Sequence, residues 1–599
     1  MQTVDNLEIS YVQLEPPETR RGFLDKLEQK KLLIIIAIVA IALCARIYHL
    51  DAAGLAEDEA NKLLAIRVYK QGDFTANAEH PMLMKALCFA STQAAVTWNG
   101  LAGKRLRLFI SEETALRLPN AIFGALTAVP LFLLATYLLG FRAGLIASLL
   151  WALGLNAIWF NRVVKEDTLL VFFMLCGFYF YARAKDRPHG DSSGQEKFFA
   201  LGGAAFGLML ASKYLPQFLA INAVFYHLVG YDRANNRPLS RRTSMVFFAA
   251  MFLAFAAINW AVFLPQTWRY ISAYLGEHLL THHGYRMGET IYANNMSETP
   301  AGLPWYTYYL YLGTKLPLPL LAAFGVGLIE IFRHRKAPEL QESKSDENGS
   351  VPEYTLRKRS LCTARARGYL FLRVSLVWWL FPMALVGAKF LRYTLSLMPL
   401  IYMTAAVGTL VIWQWLSSFI EKSSLERRFA RTIATFAVAL VFVCAPAVTA
   451  LESMPYPSLY VNALSGHRTG YFFPHDEFYD LGARESIKYI AENAPRGARI
   501  ASEIPGVVQY YLERYNRTDI RSEILSHPEF NLYRSRVDYV LLQPGRLYFE
   551  NQENFRYIER NYPAVQTSRY EGALASQVFR ISAIGPEPGR FAQKAKGKR

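Results

Sequence analysis

Long apolar runs are the feature that most constrains how this chain can fold. A stretch of about 17 or more apolar residues can cross a bilayer core of roughly 30 Å, and many such stretches occur along the sequence. The hydrophobic share of 52% also exceeds the fraction near half that is usual in soluble domains. The sequence therefore predicts an integral membrane protein that is mainly α-helical, a polytopic transmembrane bundle.

The positions of these runs predict about eleven spans. They lie near residues 33–49, 115–139, 144–160, 167–183, 198–212, 214–230, 244–263, 305–331, 369–387, 394–416 and 431–451. The run at 198–212 is short for a full crossing. With the N-terminus inside, this number of spans leaves the C-terminus on the outer side of the membrane.

Lys and Arg are concentrated in alternate loops, which predicts that these loops face the cytoplasm. They occur before the first run and in the loops near 233–242, 333–359 and 422–431. The formal charge of +17 is thereby explained by membrane topology, and nucleic-acid binding is not expected. The first outer loop (residues 50–114), the loop at 264–304 and everything after 451 are predicted to lie outside.

The sequence divides into three parts. Residues 1–32 are predicted to be a cytoplasmic N-terminal segment, residues 33–455 the transmembrane domain, and residues 456–599 an extracytoplasmic domain. After residue 470 helical and strand patterns alternate, which predicts a small α/β domain of about 130 residues. This part has no glycine-rich phosphate fingerprint, so recognition or support is expected of it rather than catalysis.

Charged side chains are concentrated at the predicted outer ends of the spans. Glu57, Asp58 and Glu59 stand together in AEDEANK, just beyond the first span. Further charges occur in a short outer turn and near later spans: Arg162, Lys165, Glu166, Asp167, Lys213, Lys389 and Arg392. Each alone can be a solvated cap or a snorkelling side chain, but ionisable groups at membrane depth are functional candidates. Together the basic residues indicate an anionic ligand on the outer side.

Several motifs resemble a known group of proteins. They are Asp58-Glu59, His80-Pro81 with Lys85 in HPMLMK, Arg117 in ALRLPNAIFGAL, Asp167, Lys213-Tyr214 in ASKYLP, Trp305-Tyr306 in GLPWYTYY, and Arg392-Tyr393 with Pro399. In order and spacing the chain resembles the lipid-dependent glycosyltransferases of the C-type fold, specifically the protein O-mannosyltransferase and lipid A aminoarabinose transferase group. The resemblance implies a polyprenyl-phosphate sugar donor and an inverting, single-displacement transfer.

Roles for individual residues follow from that resemblance and from the residue types. Asp58 is the expected proton acceptor, and Glu59 is expected to orient the acceptor. Asp167 is expected either to support the reacting side chains from behind or to act as a carboxylate on the donor side. A leaving phosphate is stabilised by cations in a site shielded from water. The expected phosphate ligands are Lys213, Arg392, Arg117 and Lys85, and the expected positioning residues are His80, Tyr393 and Trp305.

The sequence leaves the cofactor and the acceptor open. His278, His282 and His283 in GEHLLTHHGYR make a divalent metal conceivable, but HExxH and a cysteine partner are lacking, and no metal site is assigned. The acceptor can be a protein, a lipid or a glycan. A bacterial plasma membrane is the expected location. A transporter or flippase of lipid-linked sugars remains the alternative, although its charges are expected at the midplane. A non-catalytic accessory subunit would not need Asp58-Glu59.

Overall fold

The structure is a computed structural model. It describes residues 30–103, 105, 108–187, 192–230, 239–277, 281–333, 353–422, 426–532 and 535–581. Most of the predicted N-terminal segment 1–32 therefore lies outside the described residues, as do most of the polar inner loop near 337–360 and residues 582–599 of the predicted outer domain.

The first three quarters of the chain are helical. The α-helices of this part are Lys31–Ile47, Glu57–Tyr69, Met82–Trp98, Glu112–Leu126, Ala128–Leu139, Phe141–Leu153, Leu155–Asn161, Asp167–Lys185, Ser192–Ser212, Gln217–Val224, Arg241–Ile258, Pro265–Glu277, Thr307–Lys315, Leu318–Arg333, Glu353–Leu385, Met398–Glu421, Arg427–Ala439 and Ala445–Glu452. Their buried apolar side chains form one large core around Trp151 and Tyr402. The mainly helical architecture is confirmed.

Within the described ranges, six helices are long and apolar enough to cross a membrane, or seven if the bent pair Phe141–Leu153 and Leu155–Asn161 is one span. All eleven predicted spans coincide with helices, but several of these helices are short or broken. The run 305–331, for example, is two helices separated at Pro317, because proline removes a backbone donor and clashes with the preceding turn. A multi-pass membrane protein is confirmed, and the count of eleven stays a prediction.

The first outer loop is itself folded, with its chemistry at the start of a helix. Glu57–Tyr69 begins with three acidic residues, which favour a helix N-terminus because its free N–H groups carry positive partial charge. The side chain of Glu59 accepts a hydrogen bond from the backbone N–H of Ala56 at 3.0 Å, which caps the first turn. Asp58 therefore stands on a rigid element that is packed into the protein by Leu63 and Ile66.

Two β-sheets lie outside the helical bundle. A hairpin in the loop 264–304 pairs β1 (Thr281–Met287) with β2 (Thr290–Asn295) in antiparallel fashion. The C-terminal sheet contains β3 (Arg499–Ser502), β4 (Arg521–Ile524), β5 (Tyr539–Leu542), β6 (Ala564–Tyr570) and β7 (Ala573–Arg580) in the order β4-β3-β5-β7-β6. The β4-β3-β5 half is parallel and the β5-β7-β6 half is antiparallel.

The small α/β domain is present as expected. Its helices are Pro474–Phe478, Ala483–Asn493, Pro505–Arg514 and Gln552–Asn561. The periodicity of the sequence had indicated the last three of these helices and the two buried strands β3 and β5. It had not indicated β4 or the hairpin β6-β7, whose turn places Glu571 and Gly572 at positive φ. Glutamate is uncommon at such a position, so the turn has no strong sequence signal.

Candidate active site

A pocket lies between the helical bundle and the chain that follows residue 470. We call it the charged pocket, because cations and carboxylates line it together with aromatic rings. Its lining residues are Trp159, Phe160, Val163, Lys165, Asp167, Arg392, Asp476 and Tyr479. They come from three distant parts of the sequence, so the pocket exists only in the folded chain.

A five-residue turn brings charge to this pocket. It connects helix Leu155–Asn161 to helix Asp167–Lys185, and the side chain of Asn120 donates to the carbonyl oxygen of Lys165 at 2.9 Å. Asp167 stands in the first turn of its helix, a position that favours a carboxylate. The exceptional charge of this turn was visible in the sequence, but no role had been given to Lys165.

Asp58 meets the pocket from the first outer loop. Its Oδ2 lies 2.6 Å from Nζ of Lys165 and 3.7 Å from Nη1 of Arg392, and it accepts a hydrogen bond from the hydroxyl of Tyr479 at 2.8 Å. All three partners approach the same carboxylate oxygen. The Asp58 side chain is 32% exposed, compared with 5% for Lys165 and 15% for Arg392. Asp58 is therefore the accessible member of this cluster.

The neighbouring cations keep Asp58 ionised. Burial by itself raises the pKa of a carboxyl group, but the charges of Lys165, Arg392 and Lys62 hold the pKa of Asp58 well below its usual range. Burial lowers the pKa of Lys165 to about 8, which leaves this amine mostly protonated at neutral pH. The cluster thus holds a carboxylate and two cations in contact before any ligand binds.

Lys213 and Asp167 form a second ion pair. Helix Ser192–Ser212 ends one residue before Lys213, and Nζ of Lys213 lies 2.7 Å from Oδ1 of Asp167. The same amine lies 4.4 Å from the ring centroid of Tyr393, which is within the range of a cation–π interaction. Oδ2 of Asp167 is buried and has no hydrogen-bond partner in the part of the chain that the structure describes. One carboxylate oxygen of Asp167 can therefore accept a further hydrogen bond.

Arg392 contacts Asp58 of the first ion pair, and it shares the ring of Tyr393 with Lys213 of the second. It lies in the 3₁₀ turn Leu391–Ser396, and its guanidinium carbon is 4.2 Å from the ring centroid of Phe390 and 5.5 Å from that of Tyr393. An arginine fixed over aromatic rings keeps a defined orientation and remains charged. Four of the expected site residues, Asp58, Asp167, Lys213 and Arg392, are thus brought together with Tyr393.

The C-terminal region contributes two residues that the sequence had not indicated. Asp476 is 2% exposed and accepts a hydrogen bond from the hydroxyl of Tyr285 on β1. Burial raises the pKa of Asp476 to about 6. Tyr479 donates to Asp58. Both lie in a segment without an unusual charge pattern, so only the fold reveals that they line the charged pocket.

Glu59 and Arg117 bind each other beneath the first turn of the Asp58 helix. Glu59 is fully buried, and its two oxygens bind Nε and Nη2 of Arg117 at 2.8 and 2.6 Å as well as two backbone N–H groups. The remaining donors of Arg117 bind the carbonyl oxygens of Leu50, Ala53 and Gly54. Since every hydrogen-bonding site is used, this pair is a structural brace, and neither residue is free to bind acceptor or phosphate.

Lys85 is also occupied by the protein itself. Its Nζ donates to the carbonyl oxygens of Ala76, Asn77 and His80 at 3.3, 2.6 and 2.9 Å, which accounts for its three protons. The side chain is 1% exposed. Lys85 therefore holds the loop 76–80 rather than a phosphate.

His80 lies close to the pocket without lining it. Its Nδ1 is 3.7 Å from Oε1 of Glu166, which in turn is 2.8 Å from Nζ of Lys62. Burial lowers the pKa of His80 to about 3, so the ring is neutral at physiological pH.

Trp305 is not brought to the charged pocket. Its side chain is 64% exposed, and its ring contacts are with Tyr306 and Tyr309. Trp305 therefore contacts the residues of its own motif, and it is not among the residues that line the charged pocket. The proposed positioning role of Trp305 therefore has no support from its location.

The side chains of the three histidines that made a metal site conceivable are not among those that the structure describes. His278 lies outside the described residues, and the side chains of His282 and His283 are likewise not described. Among the side chains that are described, no group of three or more His, Cys, Asp or Glu residues is arranged to hold a metal ion. No residue is assigned here as a metal ligand.

The fold of the chain is similar to that of a solved oligosaccharyltransferase. It is similar to the archaeal oligosaccharyltransferase AglB from Archaeoglobus fulgidus, in complex with an inhibitory peptide and a dolichol-phosphate, with a TM-score of 0.51 and 13% identity over 93% of this chain and 74% of that one. ArnT from Cupriavidus metallidurans, bound to undecaprenyl phosphate, aligns with 92% of this chain and 99% of its own, at a TM-score of 0.47 and 14% identity. No curated protein sequence matches the chain.

A family match falls on the part of the chain that carries much of the pocket. The dolichyl-phosphate-mannose-protein mannosyltransferase family model matches residues 101–261, a range that includes Lys165, Asp167 and Lys213. Over these residues the chain is similar to that family, and the mainly helical C-type fold that the sequence had predicted is confirmed. The match also fits the membrane glycosyltransferase that the sequence had predicted.

Proposed function

We propose that this enzyme transfers a sugar from a polyprenyl-phosphate donor to a hydroxyl or phosphate acceptor on the outer side of a bacterial plasma membrane. The observation that carries the proposal is the position of Asp58: a partly exposed carboxylate beside Lys165 and Arg392 at the charged pocket. The acceptor hydroxyl needs a proton acceptor and the leaving phosphate needs cations, and an inverting displacement requires both within one site, on opposite faces of the anomeric carbon.

The cations of the pocket are suited to the donor. Lys165, Lys213 and Arg392 already lie against carboxylates, so the amines and the guanidinium are held in place before a phosphate arrives. Cations fixed in a site shielded from water stabilise the charge that develops on a leaving phosphate. In this set Lys165 takes the place that the sequence had assigned to Arg117 and Lys85.

The reaction is a single displacement at the anomeric carbon. The acceptor oxygen attacks from the face opposite the phosphate, the bond between the anomeric carbon and the phosphate oxygen breaks, and its electron pair leaves with the phosphate. Asp58 takes the acceptor proton late, when the attacking hydroxyl has become acidic, because a carboxylate with a lowered pKa is a weak base. Asp167 and Asp476 offer carboxylate oxygens to the sugar hydroxyl groups.

The sidedness of the proposal rests on contacts between separate loops. The first outer loop, the hairpin β1-β2 and the C-terminal region touch one another through Glu57 and Arg546 and through Tyr285 and Asp476, so they share one side of the bundle. The basic loops predicted to be cytoplasmic occur in other parts of the sequence. A flippase is less well supported, because its charged residues are expected at the midplane, whereas Asp58 lies on Glu57–Tyr69, a helix between two predicted spans.

Replacement of Asp58 by Asn tests the proposal. The amide keeps the size of the side chain but cannot take up the proton, so turnover is expected to fall by about 10²- to 10⁴-fold. The measurement is transfer of a labelled sugar from polyprenyl phosphate by the purified full-length protein. Asp51→Asn is the matched control, because Asp51 belongs to the same loop and accepts a hydrogen bond from Ser111 at 3.0 Å. Normal turnover by Asp58→Asn, or equal loss in both variants, would contradict the assignment.

A further inference from the structure

The C-terminal domain contacts the first outer loop at the residues that carry the chemistry. Arg546 binds the side chain of Glu57 at 2.7 Å and both carboxylate oxygens of Asp480 at 2.8 and 2.6 Å. Oδ2 of Asp480 also accepts a hydrogen bond from the backbone N–H of Glu57 at 2.9 Å. We call Glu57, Asp480 and Arg546 the latch. It ties the first residue of the Asp58 helix to the domain.

The latch fixes Tyr479, which directly precedes Asp480. Both residues have left-handed backbone conformations, with φ of 45° and 61°. A bulky residue such as tyrosine rarely adopts this conformation, so it persists only where the surroundings impose it. Here the bidentate pair of Asp480 with Arg546 holds the backbone, and the phenol of Tyr479 is thereby directed to Oδ2 of Asp58.

We infer that Tyr479 is a positioning residue for the transfer reaction: its hydroxyl fixes the orientation of the Asp58 carboxylate, so the C-terminal domain completes the active site. This inference rests on the proposed function. With Lys165 and Tyr479 both bound to Oδ2, the second oxygen of Asp58 is turned to a defined direction. A phenol that donates to a carboxylate also favours its ionised form.

The chain contains a matched control for this contact. Tyr510 also belongs to the C-terminal domain, and its hydroxyl donates to Oε2 of Glu112 in the first outer loop at 2.8 Å. This hydrogen bond joins the same two parts of the chain as the one between Tyr479 and Asp58. It also has the same length and the same types of donor and acceptor. Glu112 does not line the charged pocket, so Tyr510→Phe removes an equivalent contact without touching the site.

The first measurement does not depend on enzymatic activity. Carbodiimides react with protonated carboxyl groups, so the labelling rate of Asp58 in the full-length protein at pH 5, read by peptide mass spectrometry, reports its protonated fraction. Loss of the phenol donor raises the pKa of Asp58, and labelling is expected to increase about tenfold in Tyr479→Phe. Tyr510→Phe is expected to leave it unchanged, with labelling of Asp51 as the internal reference.

The second measurement is sugar transfer by the same variants. In Tyr479→Phe, kcat is expected to fall about 10- to 100-fold with little change in KM for the donor, because the base is displaced while the cations stay in place. Unchanged labelling, or increased labelling with a normal kcat, overturns the inference. If the wild-type protein transfers no sugar but labelling still rises only in Tyr479→Phe, the proposed function fails while the control of Asp58 by Tyr479 stands.

Discussion

Asp58 and Glu59 are adjacent in the sequence but belong to two different clusters of charged side chains. The clusters differ in how many hydrogen-bonding atoms they leave free. In the brace, Glu59 and Arg117 bind each other and five backbone groups, so no donor or acceptor remains. In the charged pocket, the partners of Asp58 all approach one oxygen, and Asp167 keeps a buried oxygen without a described partner. A charged residue near the end of a span therefore does not by itself indicate a binding site. The better indicator is a charged group whose hydrogen-bonding atoms are not all used by the protein.

The strongest test of this difference is removal of the Arg117 side-chain charge. Arg117→Met leaves Glu59 buried and unpaired, which is expected to cost about 3–5 kcal/mol of stability and to lower the yield of folded protein. The measurement is the apparent Tm and the yield in detergent, with Asp58→Asn as the comparison that should fold normally. A stable Arg117→Met protein with weakened donor binding would indicate that Arg117 binds the donor phosphate after all.

The pocket cations are expected to show the opposite pattern. Lys213→Met and Arg392→Met should each raise KM for the polyprenyl-phosphate donor about 10- to 100-fold, the equivalent of about 1.5–3 kcal/mol for a charge-assisted contact. The apparent Tm should change little in Arg392→Met, because Asp58 keeps its contact with Lys165. Lys213→Met leaves the buried Asp167 without its cation and should lower the apparent Tm as well. Lys85→Met is the matched control, since its amine binds only backbone carbonyls and its KM for the donor should stay normal. A raised KM for the donor in Lys85→Met would contradict the distinction between Lys85 and the pocket cations.

The smallest expected effect concerns Asp476 and pH. Its pKa is raised from 3.8 to about 6 in the folded protein, so the native state binds more protons between these values and loses stability as pH rises through them. Asp476→Asn keeps an acceptor for Tyr285 but cannot ionise. The apparent Tm should therefore rise by about 1–3 °C at pH 7.5 and stay nearly unchanged at pH 4. An equal shift at both pH values would rule out ionisation as the cause.

The sequence predicted the α/β domain from its alternating periodicity, and it predicted the bundle and four charged residues at or beside the pocket for one physical reason. Apolar runs, and charges that interrupt them, are costly in a membrane and therefore informative. Asp58, Asp167, Lys213 and Arg392 were recognisable on that basis. Arg117 and Lys85 carry the same signal, but the sequence does not contain the hydrogen bonds that satisfy them.

Asp476 and Tyr479 could not be predicted because the residues that they contact lie far away in the sequence. They stand in a region where charge and aromatic residues are ordinary, and Tyr479 is 421 residues from its partner Asp58. Nothing in local periodicity relates such positions. The same applies to the hairpin β1-β2, which contributes Tyr285 to Asp476 although it interrupts a loop between two helices.

The latch has a consequence for biosynthesis. Glu57 is translated early, whereas its partner Arg546 follows 489 residues later. A nascent chain that ends after Arg427–Glu452, the last candidate span among the described residues, still lacks Tyr479, Asp480 and Arg546. The latch and the contact of Tyr479 with Asp58 therefore cannot form before residue 546 has been synthesised. If Tyr479 positions Asp58 as inferred, a chain that ends before residue 546 is expected to transfer sugar more slowly than the full-length protein.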